Sequence, residues 1–225
     1  MMRLRIGLHL ICLLLLVGVE AVAALRPPAV PLVANDPYFS VWDMNGILNC
    51  SYTEHWSGVR QPLTILAEID GKVWRLCGFG VDNDDFEPAR QLSVEVRPLT
   101  SVYRFAAGKA TVTLEFMTPK MPDDLEAYSR PVTYVTVKTS GAKTVKVTAG
   151  IEPSWATHDD TAEMVRKDAE FAGLKAYAWG RVVQTPLSRQ GDWDRPNWGW
   201  AWIVNPVSEG TDTHFILAYD DVLSV

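Results

Sequence analysis

Apolar and polar positions alternate most clearly in the middle of the chain. Val112, Leu114 and Phe116 alternate with Thr111, Thr113 and Glu115, the period-2 mark of a half-buried strand. Residues 132–137, rich in Val, Thr and Tyr, predict a second strand, and Val145, Val147, Ala149 and Ile151 a third, again interleaved with polar Lys146 and Thr148. Ser140-Gly141-Ala142-Lys143 is a short turn joining the last two. Between the first two lies the 118–131 segment, where Pro119, Pro122 and Pro131 forbid a central strand and predict a surface arch or crossover. Strands meeting through such an arch usually belong to two stacked sheets, so the predicted fold class is all-β, a β-sandwich.

The same reading extends to the rest of the chain. Residues 26–33 carry three prolines and read as an extended strap across the surface. Asn35-Asp36-Pro37 turns into an aromatic strand ending at Trp42, and residues 53–60 form a polar, aromatic loop. Leu63, Ile65, Ala67 and Ile69 alternate, and Asp70-Gly71 turns the chain into residues 72–76, a strong hairpin signal. Leu92, Val94 and Val96 start a strand that Pro98 ends, and residues 101–105 and 111–117 form a hairpin over Ala106-Ala107-Gly108-Lys109. Residues 159–172 are ambiguous, with helix-like composition but poor apolar spacing. Runs at 177–184, 199–205 and 213–219 bring the expectation to about ten strands. Residues 24–90 then hold the strap and first hairpin, and 91–225 the sandwich.

Composition narrows the class. A chain of 225 residues, 48% hydrophobic, can bury one substantial core or two small ones. Nine Trp, seven Tyr and seven Phe beside 14 Pro and 15 Gly suit a turn-rich β protein. The net charge of −6 and pI near 5.2 argue against nucleic acid as a partner. At the N-terminus, basic Arg3 and Arg5 precede the apolar Leu10–Val19 run, and Ala21-Val22-Ala23 offers a small-x-small cleavage site. The run is too short to span a bilayer, so residues 1–23 are expected to be a cleaved signal peptide, leaving a secreted or periplasmic protein with no membrane attachment. Cys50 and Cys77 would then sit in an oxidising compartment, where a disulfide and two buried free thiols both fit. Asn49-Cys50-Ser51 is a formal glycosylation sequon with a poor middle residue.

Candidate chemistry is sparse. His55, His158 and His214 are scattered, and no Gly-x-Ser-x-Gly elbow or Ser-x-x-Lys occurs, so no catalytic residue is identified. Asp82-Asn83-Asp84-Asp85 lacks the spacing of a calcium loop and reads as a solvated acidic turn; no metal site and no cofactor are implied. Asp123-Asp124 reads as capping and turn chemistry. The most unusual stretch is 192–202. In a strand, Trp198, Trp200 and Trp202 would share one face, with Trp193 just upstream. Exposed, they would make a platform for stacking on a sugar; buried, they would be core or a face that docks onto another domain, the simpler reading for indoles. Trp56 and Arg60, with His55, Asp36 and Trp42 near in sequence, form a second polar, aromatic group suited to a domain interface.

Several ordered blocks carry a family resemblance. Residues 26–33, Asp36-Pro37-Tyr38-Phe39-Ser40-Val41-Trp42, His55-Trp56-Ser57-Gly58, the 92–105 run, Met121-Pro122-Asp123-Asp124-Leu125, Ser129-Arg130-Pro131-Val132-Thr133-Tyr134 and Trp198-Gly199-Trp200 resemble the secreted glutaminase A family of bacteria and fungi. The resemblance implies an N-terminal β domain of sandwich type that partners a C-terminal helical-barrel domain in a protein converting L-glutamine to glutamate and ammonia. The chain stops at Val225, about where that family runs on toward the barrel, so the resemblance implies a partial chain without the catalytic domain. A carbohydrate-binding sandwich, or the N-terminal domain of a glycoside hydrolase-like enzyme, is the alternative.

Overall fold

A computed structural model describes residues 27–80, 86–186 and 195–222. The expected signal peptide, the 82–85 acidic turn and Trp193 lie outside these residues. In chain order the strands are β1 (Val30–Ala34), β2 (Ser40–Asp43), β3 (Glu54–His55), β4 (Leu63–Ile69), β5 (Lys72–Cys77), β6 (Glu87–Pro88), β7 (Arg90–Val96), β8 (Thr100–Ala107) and β9 (Ala110–Met117). After a single helical turn, α1 (Leu125–Ser129), come β10 (Val132–Ser140), β11 (Val145–Ile151), a 3-10 turn at Pro153–Trp155, β12 (Met164–Phe171), β13 (Leu174–Arg181), β14 (Trp200–Val204), β15 (Val207–Glu209) and β16 (Asp212–Asp220).

These strands build an all-β sandwich. One sheet has eight strands in the order β12-β13-β14-β16-β10-β9-β8-β7, a second has five in the order β15-β11-β4-β5-β6, and a third has three, β1-β2-β3. The inner faces meet in one core. Leu63, Ile65 and Ala67 of β4 and Val145, Val147 and Ile151 of β11 pack with Tyr103, Phe105, Leu114, Phe116, Val135, Phe215 and Leu217 of the large sheet. Two side-chain bonds on β11 tie the layers together: the Ile151 amide donates to Tyr177 Oη at 3.1 Å, and Trp179 Nε1 donates to the Ile151 carbonyl at 3.1 Å.

Two sequence expectations are reversed. The proline-rich arch joins β9 and β10, which pair side by side in the large sheet, Val135 opposite Phe116. The short Ser140–Lys143 turn instead carries the chain from the large sheet to the five-stranded one, since β11 pairs with β4. The arch is wide because it houses α1, which Asp124 caps by accepting from Ala127 N at 3.0 Å, and not because it spans the layers.

The strap is also no surface strap. Val30, Leu32 and Val33 are buried in the shared core, and Pro31 sits in an edge strand where the register slips, a place that tolerates a missing N–H. The ambiguous 159–172 stretch holds β12, an outer strand with little burial on either face, which is why its apolar spacing shows no period. The Asp70-Gly71 hairpin forms as expected, both residues at positive φ, 50° and 84°. Strands from both sides of residue 90 share the five-stranded sheet and the core.

Candidate functional site

The loop between β2 and β4 is built tightly. Asp36 Oδ1 accepts from the amides of Tyr38 and Phe39 at 2.8 and 2.9 Å, fixing the entry to β2. His55, 0% exposed, pairs with Val41 across the strands. Its Nε2 lies 3.0 Å from the Pro37 carbonyl, which can only accept, so Nε2 carries the proton and Nδ1 accepts from the Ser57 hydroxyl at 2.8 Å. Gly58, at φ +86°, closes the turn and donates to the His55 carbonyl at 2.8 Å.

This framework presents two side chains. Trp56 is 50% exposed and anchored by its Nε1, which donates to the Pro37 carbonyl at 2.6 Å. With Asp36, Pro37 and Trp42 it lines an open depression of about 460 Å³. Arg60 is exposed and lies 4.7 Å over the Tyr52 ring. These two line a separate cleft of about 510 Å³ together with Glu152, Ser154, Asp160 and Arg195.

The wall of that cleft is anchored in the core. Trp155, 1% exposed, donates from Nε1 to the Pro62 carbonyl at 2.9 Å and meets Phe39 edge-on at 5.9 Å. Buried Gln61 donates to the Ser154 carbonyl at 3.4 Å, while its Oε1 and the Ser154 hydroxyl are buried without a hydrogen-bond partner. Arg195 is nearly buried and donates to the His158 carbonyl at 2.9 Å. Glu152 forms no ion pair among the described residues, and partial burial pushes its carboxyl above the ordinary value.

The pairing of Ser57 with His55 has the outline of a nucleophile and base. The imidazole is sealed from solvent, however, both its nitrogens bond within the loop, and the group orienting it is a neutral carbonyl. The contact locks the turn. Cys77 is fully buried, and burial with the nearby Asp43 charge pushes its thiol well up, away from thiolate chemistry. Among the described residues no three His, Cys, Asp or Glu side chains are grouped to hold a metal ion.

Cys50 and Cys77 are both free thiols, Cys50 exposed and Cys77 buried, so of the two alternatives the disulfide is not formed and only one thiol is interior. The sequon asparagine is unsuited to a glycan: Asn49 is buried, and its Nδ2 donates to the carbonyls of Arg75 and Ala89 at 3.0 and 2.7 Å.

The tryptophans of the 192–202 stretch part company. Trp198 is half-buried and precedes β14, separated from it by Gly199 at φ +89°, so the alternation does not reach it. Trp200 and Trp202 share a face of the large sheet opposite to core residues Ala201 and Ile203. Trp200 is 8% exposed: Lys167 Nζ sits 3.4 Å over its ring, and a Cβ on the facing Gly180 would come 2.5 Å from it. Trp202 meets Phe171 edge-on at 5.4 Å. The described indoles therefore do not form a row of three open rings. Register places Val204, Ile216, Ala218, Val132 and Tyr134 on the same outer face, an apolar patch bordered by Thr136, His214 and Asp220.

The structure thus separates Trp56 and Arg60 from Trp200 and Trp202. Tyr52, Glu152, Ser154 and Asp160 do not stand out in the sequence; Glu152-Pro153 at the end of a strand is the available hint.

Residues 99–223 match a family described as a domain of unknown function, DUF5127, and the chain belongs to that family. Residues 16–86 match a second domain of unknown function, DUF4964. Glutaminase A of Aspergillus oryzae is 26% identical over 192 residues, covering 78% of this chain and 27% of that protein. A protein named "Probable glutaminase" from Arthroderma benhamiae is 23% identical over 202 residues, covering 81% of this chain and 23% of that protein. The chain is therefore similar to glutaminase A-like proteins, and it spans about a quarter of the length of these curated relatives.

Proposed function

We propose that this chain is the N-terminal, non-catalytic β domain of a secreted glutaminase A-like amidohydrolase. The whole protein would release ammonia from L-glutamine, and this part would support a C-terminal helical-barrel domain. The observation that carries the reading is the similarity to glutaminase A, continuous over most of this chain yet confined to about a quarter of that relative. Two features agree with it. The described residues offer no accessible nucleophile–base pair, and the outer face of the large sheet carries an apolar patch that includes Trp202 and Tyr134.

Ammonia release from L-glutamine tests the reading, measured on this chain and on the longer native protein. Activity in the longer protein and none in this chain is expected; ammonia release by the chain alone would overturn it. Replacing Trp56 and Arg60 together in the longer protein should lower activity or stability, and wild-type behaviour on both counts would remove the loop from the interface.

A further inference from the structure

Several aromatic rings of this chain are covered by its own cations. Arg60 lies 4.7 Å over Tyr52, Lys72 4.1 Å over Trp74, Lys120 4.9 Å over Tyr128, Arg166 4.2 Å over Tyr177 and Lys167 3.4 Å over Trp200. Trp42 and Trp56 differ: among the described residues no lysine or arginine covers either ring. Both indoles line the open depression of about 460 Å³. Both are also held by their ring nitrogens, Trp56 Nε1 donating to the Pro37 carbonyl at 2.6 Å and Trp42 Nε1 to Ser40 Oγ at 2.8 Å. An indole has a single N–H, so each is spent inside the protein, and ring face and C–H edge are what remain for a ligand.

The rest of the wall sets the sign of the charge it accepts. Ala34, Asn35, Asp36, Pro37 and Ser40 complete it, so among the described residues the lining holds one carboxylate and no lysine, arginine or histidine. Asp36 Oδ1 is fixed by the Tyr38 and Phe39 amides, and the carboxylate forms no ion pair among the described residues. Asn35 Oδ1 is buried without a hydrogen-bond partner. Lys120 donates to the Asn35 carbonyl at 3.1 Å, but its ammonium is held at Tyr128 and lines a different concavity, beside Arg97.

We propose that this depression binds a small soluble quaternary ammonium compound, its trimethylammonium group against the Trp42 and Trp56 rings and beside the Asp36 carboxylate. Indole faces and a carboxylate both attract positive charge, and an anion would meet no cation in this wall. A primary ammonium would bring three N–H donors to a wall of two indoles, an alanine and a proline; a quaternary one has no N–H to satisfy and offers methyl groups to the apolar surface. A pyranose could stack on an indole, but its hydroxyls would find both indole N–H groups spent. A phosphatidylcholine headgroup carries a phosphodiester beside its ammonium, which this wall and a chain of net charge −6 repel, so the ligand is soluble. The inference goes beyond the reading above and does not rest on it. It concerns binding by this chain itself, so it can fail while ammonia release by the longer protein stands, and the reverse.

The test is an NMR titration of the purified chain with choline chloride at constant ionic strength, following backbone amides and indole Nε1–H groups. Saturable shifts at the Trp42 and Trp56 Nε1–H and at the Tyr38 and Phe39 amides are expected, with a Kd of about 1–20 mM for a cation at open rings. The alcohol 3,3-dimethylbutan-1-ol, which has the shape of choline without its charge, should bind at least about fivefold more weakly. Trp56→Leu and Asp36→Asn should each weaken choline by about threefold or more, while the amides of the five-stranded sheet, which report folding, stay in place. Asp36→Asn keeps an Oδ1 to hold the turn and removes only the charge. Absence of saturable shifts up to about 100 mM choline would overturn the proposal. So would equal binding of the neutral alcohol, which would mean a plain apolar hollow, or of methyl β-glucoside, which would mean a sugar platform. Wild-type affinity in both variants would do the same. Pelleting with phosphatidylcholine vesicles without a response to free choline would move the group onto a lipid and overturn the soluble ligand.

Discussion

Two surfaces of this domain are built around tryptophan, and they are made by opposite means. On the outer face of the large sheet, Trp200 and Trp202 alternate with core residues along β14, and their rings are covered by neighbours in the same sheet, Lys167 and Phe171. At the loop corner, Trp56 and Arg60 leave a turn held by polar bonds, and the depressions beside them are open. The first surface holds an apolar patch along β14, β16 and β10, the kind of surface that suits burial against another domain. The second is concave and lined by side chains of both signs, which suits a polar partner better than an apolar one. An indole in the sequence is therefore no sign of either role; what lies over the ring decides.

The comparison breaks most severely if the support of one surface is removed. Trp155→Ala takes away the side chain that joins the 3-10 turn to Pro62 and Phe39. A loss of about 3–5 kcal/mol is expected for a buried aromatic truncated to alanine. Urea unfolding measures it; a change below about 1 kcal/mol would mean that the cleft wall stands without the core. The outer face calls for a different probe. Gly180→Val places a side chain where its Cβ would already crowd the Trp200 ring and the Gly199 carbonyl, the latter at 2.8 Å. Overpacking of this kind costs about 1–3 kcal/mol. It should also shift tryptophan emission while leaving the amides of the cleft in place. Movement of the cleft amides in this variant would show that the two surfaces are coupled.

Much of the frame can be read from alternation alone. The inward residues of β4, β9 and β11 are apolar at every second position because only one face of each is buried, while β10 alternates the same way but buries Thr133 and Thr139 beside Val135 and Val137. Layer assignment is not readable that way, because connection length misleads: the long arch returns to a neighbouring strand, and the four-residue turn changes sheets. β12 is hidden for the opposite reason, since an edge strand exposed on both faces has no pattern to show. The loop corner was half legible. Trp56 and Arg60 stand out in sequence, but Glu152, Asp160 and Arg195 reach the same cleft from about 90 to 135 residues further on, and only the packing of Trp155 under Pro62 brings them there.

The smallest expected effect lies away from both surfaces and serves as their control. Asp70, at the tip of the β4–β5 hairpin, accepts from the amides of Lys143 and Thr144 at 2.9 Å each, tying that hairpin to the turn between the sheets. Those backbone bonds, Thr144 first and then Lys143, hold its carboxyl below the ordinary value. A lowered folded-state value means that the charged form is the one the fold favours. Its contribution is complete at neutral pH, begins to fall near the unfolded value of about 4, and is gone once pH drops below the folded value. The wild type should therefore exceed Asp70→Asn in melting temperature at pH 7 by a small margin that closes as the pH falls below about 4. A margin independent of pH would mean that the side chain acts through shape and not through charge. Because the group is exposed, neither the Trp200 environment nor the cleft amides should respond to this variant, and a response at either would tie that surface to the junction between the sheets.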